Sequence, residues 1–180
     1  MISALVFTAL FHGAQASPPR FTDTDMQQAE ACADGPAPSQ CANADAQAAA
    51  RLCMQGLPAH SDDTAFGACM AAVTDHCISN WSSTTSEMNR RVILICAART
   101  RAATRVEIDA WLDRADQRLD PSISRQYRAQ LATVDTRLKE QTEEIRTDGA
   151  GNVEVRIAGT RNGIWESFAR FLWLSERKAR

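Results

Sequence analysis

The placement of six cysteines constrains this chain more than any other feature. Cys32, Cys41, Cys53, Cys69, Cys77 and Cys96 all lie in the first half, and none follows Cys96. An even number of cysteines without a Cys-x-x-Cys pair reads as three disulfides formed in an oxidising compartment. Metal ligation and a reactive thiol are the competing readings. The metal reading has few partners, because His60 and His76 are the only histidines beyond the N-terminal segment. The thiol reading would use His76 beside Cys77, but neighbours on a helix face about 100° apart. Covalent haem and thioredoxin-type exchange need motifs that are absent. No metal and no cofactor are expected.

Fifteen pairings are possible. Cys69 and Cys77 on one helix are about 12 Å apart along its axis, too far to bond each other. A helical hairpin turning at Trp81-Ser82-Ser83 sets Cys69 level with Cys96. A turn around Pro58–His60 sets Cys41 level with Cys77. Cys32–Cys53 then remains. These pairings assume straight antiparallel helices.

The first sixteen residues agree with export. Met1 to Ala16 carry no Lys, Arg, Asp or Glu, and Ala4–Phe11 is mostly apolar. Ala14-x-Ala16 is a small-x-small cleavage pattern. The expected organisation is a signal peptide at 1–16 and one helical domain at 17–180. That domain has a cysteine-rich half (17–100) and a long-helix half (101–180). The expected location is periplasmic or secreted, with no membrane span, since no apolar run approaches the roughly 20 residues needed.

Local signals then give a run of helices. Thr22-Asp23-Thr24-Asp25 caps a first helix through Cys32, and Gly35–Ser39 breaks it. Asn43 or Asp45 starts a second, Ala46 to Gln55, ended by Gly56 and Pro58. Ser61-Asp62-Asp63 caps a third, to about Ser79. Thr84 and Glu87 form a capping box, and no Gly or Pro intervenes before Pro121, so one helix of some 35 residues is expected from Thr85 to Leu119. Asp120-Pro121 starts the next. Its stripe of Ile123, Tyr127, Leu131, Val134, Leu138 and Ile145 suits antiparallel packing on the preceding helix. Val153–Ile157 alternates like a strand but has no obvious partner, so it reads as an extended link or the edge of a small hairpin. Ile164, Trp165, Phe168, Phe171 and Leu172 form an aromatic face on a last helix. The fold class is all-α: a disulfide-stapled bundle with long antiparallel helices and little or no β-structure.

Chemistry is sparse. The net charge of -2 gives no basic footprint for nucleic acid. There is no Gly-x-Ser-x-Gly elbow, no phosphate loop and no His-Glu-x-x-His. Asp75 and His76 lack an identifiable serine partner. Asp62 and Asp63 suit a helix start. Glu140, Glu143 and Glu144 with Arg137 and Arg146 read as a solvated face. The arginines from Arg90 to Arg105 read as the basic stripe of a surface helix. No catalytic site is expected, and the chain reads as non-enzymatic.

The order Cys69, Cys77, Thr84-Thr85, Cys96, Glu107, Trp111 resembles the small exported bacterial proteins of the lysozyme-inhibitor LprI type. Those proteins carry a helix reading Glu-x-x-x-Trp-Asp-x-x-Leu-Asn and a C-terminal helix reading Trp-x-x-x-Arg-Asp. Here Glu107 and Trp111 keep the first spacing, with Leu112, Ala115 and Asp116 at the Asp, Leu and Asn positions. Trp173 and Arg177 keep the second, with Lys178 at the Asp position. The resemblance covers roughly residues 69–180. It implies an exported helical protein that binds a protein partner and inhibits lysozyme. The alternative is a structural or assembly protein of the cell envelope that self-associates through the Tyr127–Ile145 stripe. Neither reading fixes an oligomeric state.

Overall fold

The structure, a computed structural model, describes residues 21–58, 61–79, 81 and 85–178. The segment read as a signal peptide, the turn at His60 and the Thr84 end of the capping box lie outside them. Among the described residues six α-helices follow in order: α1 (Asp23–Asp34), α2 (Ala44–Arg51), α3 (Asp63–Ser79), α4 (Ser86–Arg118), α5 (Pro121–Asp148) and α6 (Val153–Lys178). A 3₁₀ turn at Pro38–Gln40 joins α1 to α2, and a wide π-type turn at Leu52–Gly56 continues α2. Among the described residues there is no strand, and no helix is long and apolar enough to cross a membrane.

Start signals act where the sequence places them. Thr22 accepts from the Asp25 backbone N–H while Asp25 accepts from that of Thr22, closing a reciprocal cap. Asn43 accepts from Ala46 N–H at 2.7 Å, Asp62 from Ala65 N–H at 2.9 Å and Asp120 from Ser122 N–H at 2.7 Å. Each satisfies a donor that the first helical turn leaves open.

The axis of the fold is α4. Val92, Leu94, Ile95, Cys96, Ala97 and Ala98 are buried, and so are Ala102, Ala103, Ile108, Trp111, Leu112 and Ala115. A helix buried on all sides is central rather than amphipathic. Alanines at 98, 102 and 103 let α1 and α2 approach closely, which compensates for few large side chains. The main core adds Phe66 and Met70 of α3 to Trp165, Phe168, Leu172 and Trp173 of α6. A smaller cluster joins Met26, Leu94, Ile95, Ala97 and Ala158.

Three expectations need correction. The disulfides are Cys32–Cys41, Cys53–Cys69 and Cys77–Cys96, with Cα separations of 6.0, 5.6 and 5.6 Å. The expected pairs Cys69–Cys96, Cys41–Cys77 and Cys32–Cys53 do not form. Cys77 stands near the end of α3, whereas Cys96 lies well inside α4, so the two helices are not level. Gly35–Ser39 does break the helix after Asp34, and it also turns the chain so that Cys41 returns to Cys32.

Val153–Ile157 is the first turn of α6. Asn152 caps it, accepting from Val155 N–H at 3.2 Å, and Val155 packs on the smaller cluster. Burial overrides the β-like alternation. Gly149 ends α5 in the left-handed conformation at φ 62°, its N–H donating to Ile145.

The stripe on α5 turns chiefly to α6, not to the preceding helix. Tyr127 meets both neighbours, its ring 5.2 Å from Trp111 and 5.7 Å from Phe171. Val134 is buried, Leu131 and Leu138 are partly buried, and Ile123 is left exposed.

Candidate functional site

Of the four positions that carry the family resemblance, Glu107, Trp111 and Trp173 are buried. Glu107 is 1% exposed. Its Oε1 accepts from Arg51 Nε and Nη2, each at 3.0 Å, and its Oε2 from Gln55 Nε2 at 3.3 Å. The pair stitches α2 and the following π-type turn to α4. The Glu107 carboxylate holds the Arg51 guanidinium above its already high ordinary pKa, through the hydrogen bond first and the charge second. Trp111 is buried and donates its indole N–H to Glu176 Oε2 at 3.0 Å. Trp173 is buried against Phe66, ring centroids 5.2 Å apart. The Arg177 side chain lies outside the described set.

The motif substitutions also have structural places. Leu112 and Ala115 are buried, and Asp116 accepts from Ser124 Oγ and Arg128, tying α4 to α5. Glu107, Trp111 and Trp173 therefore hold the frame.

The arginines between 90 and 105 overturn the surface-stripe expectation. Arg101 has a side chain 0% exposed. Its Nε donates to Asp34 Oδ1 at 2.7 Å, Nη2 to Glu30 Oε2 at 2.7 Å and Nη1 to Asn162 Oδ1 at 3.1 Å. Arg161 of α6 reaches the same acids, Asp34 at 2.7 Å and Glu30 at 3.2 Å. Two guanidinium groups thus share two carboxylates at the junction of α1, α4 and α6. Arg105 donates to the Ala33 carbonyl, at the C-terminal end of α1 where the helix dipole favours a cation. Its guanidinium carbon lies 5.0 Å over the Trp165 ring. Near the other end of α1, Arg91 donates to Asp23 Oδ1 at 3.0 Å and to the Phe21 carbonyl at 3.1 Å, while Arg90 pairs with Glu154 of α6. Periodicity on α4 alone could not reveal this, because the acids lie on other helices.

Openings flank α5 where it runs along α6. On one side is a cleft of about 400 Å³, walled by Arg105, Lys139, Thr142, Arg161 and Trp165. On the other is a furrow of about 650 Å³ with Val134, Arg137, Ile164, Phe168 and Phe171 in its walls. Phe171 is 41% exposed and lies 6.0 Å from the Phe168 ring. The remaining sequence candidates are quieter. Asp62 is committed to capping, the Asp63 side chain lies outside the described set, and Asp75 and His76 are exposed on α3. Glu143 and Arg146 pair at 3.7 Å on the solvated face of α5, as expected for i, i+3 neighbours. Among the described residues no group of three His, Cys, Asp or Glu side chains is placed to hold a metal ion. Comparison of the chain with protein-family models, curated proteins and solved structures finds no match.

Proposed function

We propose that this chain is an exported, non-enzymatic binding module, periplasmic or secreted, whose partner is a protein, with a lysozyme as the first partner to test. The observation that carries the reading is the α5–α6 furrow. Phe171 stands open at its edge beside Phe168 and Ile164, among polar neighbours such as Gln130, Arg137 and Ser167, and an aromatic side chain left half-exposed gains by being covered. The disulfides support the compartment. A net charge of -2 assists encounter with cationic lysozymes modestly. The alternative is self-association through the Tyr127–Ile145 stripe, part of which packs on α6, as Tyr127 does on Phe171.

The test is lysozyme-catalysed lysis of a cell-wall suspension with purified protein spanning 17–180 added. Inhibition that saturates and is weakened at least tenfold by Phe171→Asp supports the reading. Full lysis at a large molar excess refutes lysozyme as the partner. Phe171→Asp without effect on an inhibition that does occur refutes the furrow.

A further inference from the structure

The furrow beside Phe171 does not stop at Gln141. It continues into a second opening of about 600 Å³, walled by Glu144, Ile145, Asp148, Arg156 and Gly159. Gln141 and Thr160 line both openings, so the two form one trough between α5 and α6. From Gln130 to Asp148 the trough runs about 27 Å, at 1.5 Å per helical residue.

Two of its features find no explanation inside the chain. Arg137 and Glu144 are exposed in its wall, and neither has an ion pair among the described residues. Asp148 and Arg156, by contrast, pair with each other at 2.7 Å. Gly159 and Gly163 lie inside α6, where glycine costs roughly 0.5–1 kcal/mol relative to alanine. A Cβ at either position would meet nothing within 4 Å, so no neighbour in the chain requires them to be bare.

We propose, resting on the same furrow as the proposed function, that its occupant in the isolated protein is a second copy of this chain, bound as a two-fold dimer. The charge arrangement selects that occupant. Arg137 and Glu144 stand two helical turns apart on α5, with Gln141 between them. A two-fold axis that lies in the trough face and crosses α5 at right angles beside Gln141 sets the two α5 helices antiparallel. Arg137 of each copy then meets Glu144 of the other, and the pairing occurs twice. Gln141 meets its own counterpart, and a carboxamide both donates and accepts. Asp148 falls level with Val134 and Arg156 with Ile164, so neither meets a like charge.

On the same axis α6 meets α6 near Thr160, where Gly159 and Gly163 let two backbones approach closely. Phe171 of each copy reaches toward the start of α6 in the other and is covered. Two helices spaced roughly 10 Å apart over about 27 Å give on the order of 500 Å² per copy. That lies at the small end of specific interfaces, so the dimer is weak and half-formed near ~100 µM. A protein partner that docks on Phe171 competes with the second copy.

The test is sedimentation equilibrium of the full disulfide-bonded chain from about 10 µM to about 1 mM, a range that brackets a weak dimer. The expected result is a reversible monomer–dimer equilibrium. Arg137→Glu and Glu144→Arg should each weaken it at least tenfold, because each sets like charges opposite one another twice. An equimolar mixture of those two variants should associate like the parent, since every opposed pair is again of opposite sign. The double variant carrying both reversals should also dimerise like the parent. Lys139→Glu, on the other side of α5, should leave association unchanged. A monomer at about 1 mM, or a dimer indifferent to both single reversals, overturns the proposal. So does a mixture that fails to associate, or a Lys139→Glu effect as large as that of Arg137→Glu. The lysis assay reports separately: a dimer that leaves lysis unchanged refutes lysozyme and not the dimer, and inhibition by a strict monomer does the reverse.

Discussion

Replacing Arg101 with methionine should be the most damaging single change outside the cysteines. Methionine keeps the stem and removes the guanidinium, so packing loss is small and the polar loss dominates. Three side chains lose a donor: Asp34 and Glu30, each at 2.7 Å, and Asn162 at 3.1 Å. Removing one partner of a buried ion pair typically costs 3–5 kcal/mol, because the survivor is left charged and uncompensated. Two facts reduce that here. Arg161 still reaches both acids, and the Glu30 and Asp34 side chains are 22% and 32% exposed, so water can replace part of what is lost. A loss of about 3 kcal/mol follows, near the bottom of the range. For a chain of this size it lowers Tm by roughly 6–12 °C. Urea unfolding followed by circular dichroism, with disulfides intact, measures it. Salt should change the difference little, since the pair is screened poorly where it is buried. The argument also requires coupling: Arg101→Met should cost much less in a Glu30→Gln, Asp34→Asn background. A loss below about 1 kcal/mol in the parent, or the same loss in both backgrounds, refutes the claim that Arg101 organises this junction.

Three further outcomes are expected. Non-reducing peptide mapping should recover Cys32–Cys41, Cys53–Cys69 and Cys77–Cys96 as the linked pairs, and Cys77→Ala with Cys96→Ala should cost about 3 kcal/mol for a loop of that length. Gly149→Ala should cost about 1 kcal/mol by thermal unfolding, because its φ of 62° disfavours a Cβ while no atom lies near enough to clash. Glu166 is held above its ordinary pKa by burial, so its ionised form is the disfavoured one in the fold. Its contribution to stability is full at acid pH and is lost as pH rises through the raised value. Glu166→Gln should therefore raise Tm at pH 7, and the gain should vanish as pH falls into the ordinary glutamate range.

The helices were legible because their signals are local. Asp120-Pro121 marks a start by one hydrogen bond and one fixed φ, and both act whatever lies across the bundle. The disulfides were not legible because pairing depends on how helices cross. Taking α3 and α4 as level hairpin arms puts Cys69 opposite Cys96, yet Cys77 takes that place. Val153–Ile157 shows the same limit. Its alternation is a property of five residues, while its helical state comes from Asn152 at the cap and from Val155 and Ala158 packing beneath.

The arginine junction fails for a different reason, and a signal for it was available. Arg99, Arg101 and Arg105 look like a solvated stripe when α4 is taken as amphipathic. From Val92 to Leu112, however, apolar or small residues occur on every side of the helix: Val92, Leu94, Ile95, Ala97, Ala98, Ala102, Ala103 and Ile108 share no single face. A helix without a polar side must lie at the centre of a bundle. A charge in the middle of it must then be buried, and a buried charge needs an opposite partner from another helix. Glu30 and Asp34 sit one turn apart on α1, the spacing that lets two carboxylates face one guanidinium. Centrality of α4, an arginine within it and acids one turn apart on the helix that packs against it would together have pointed to Arg101. The α5–α6 furrow could not be found this way, because Val134, Phe168 and Phe171 meet only in a register that the fold defines.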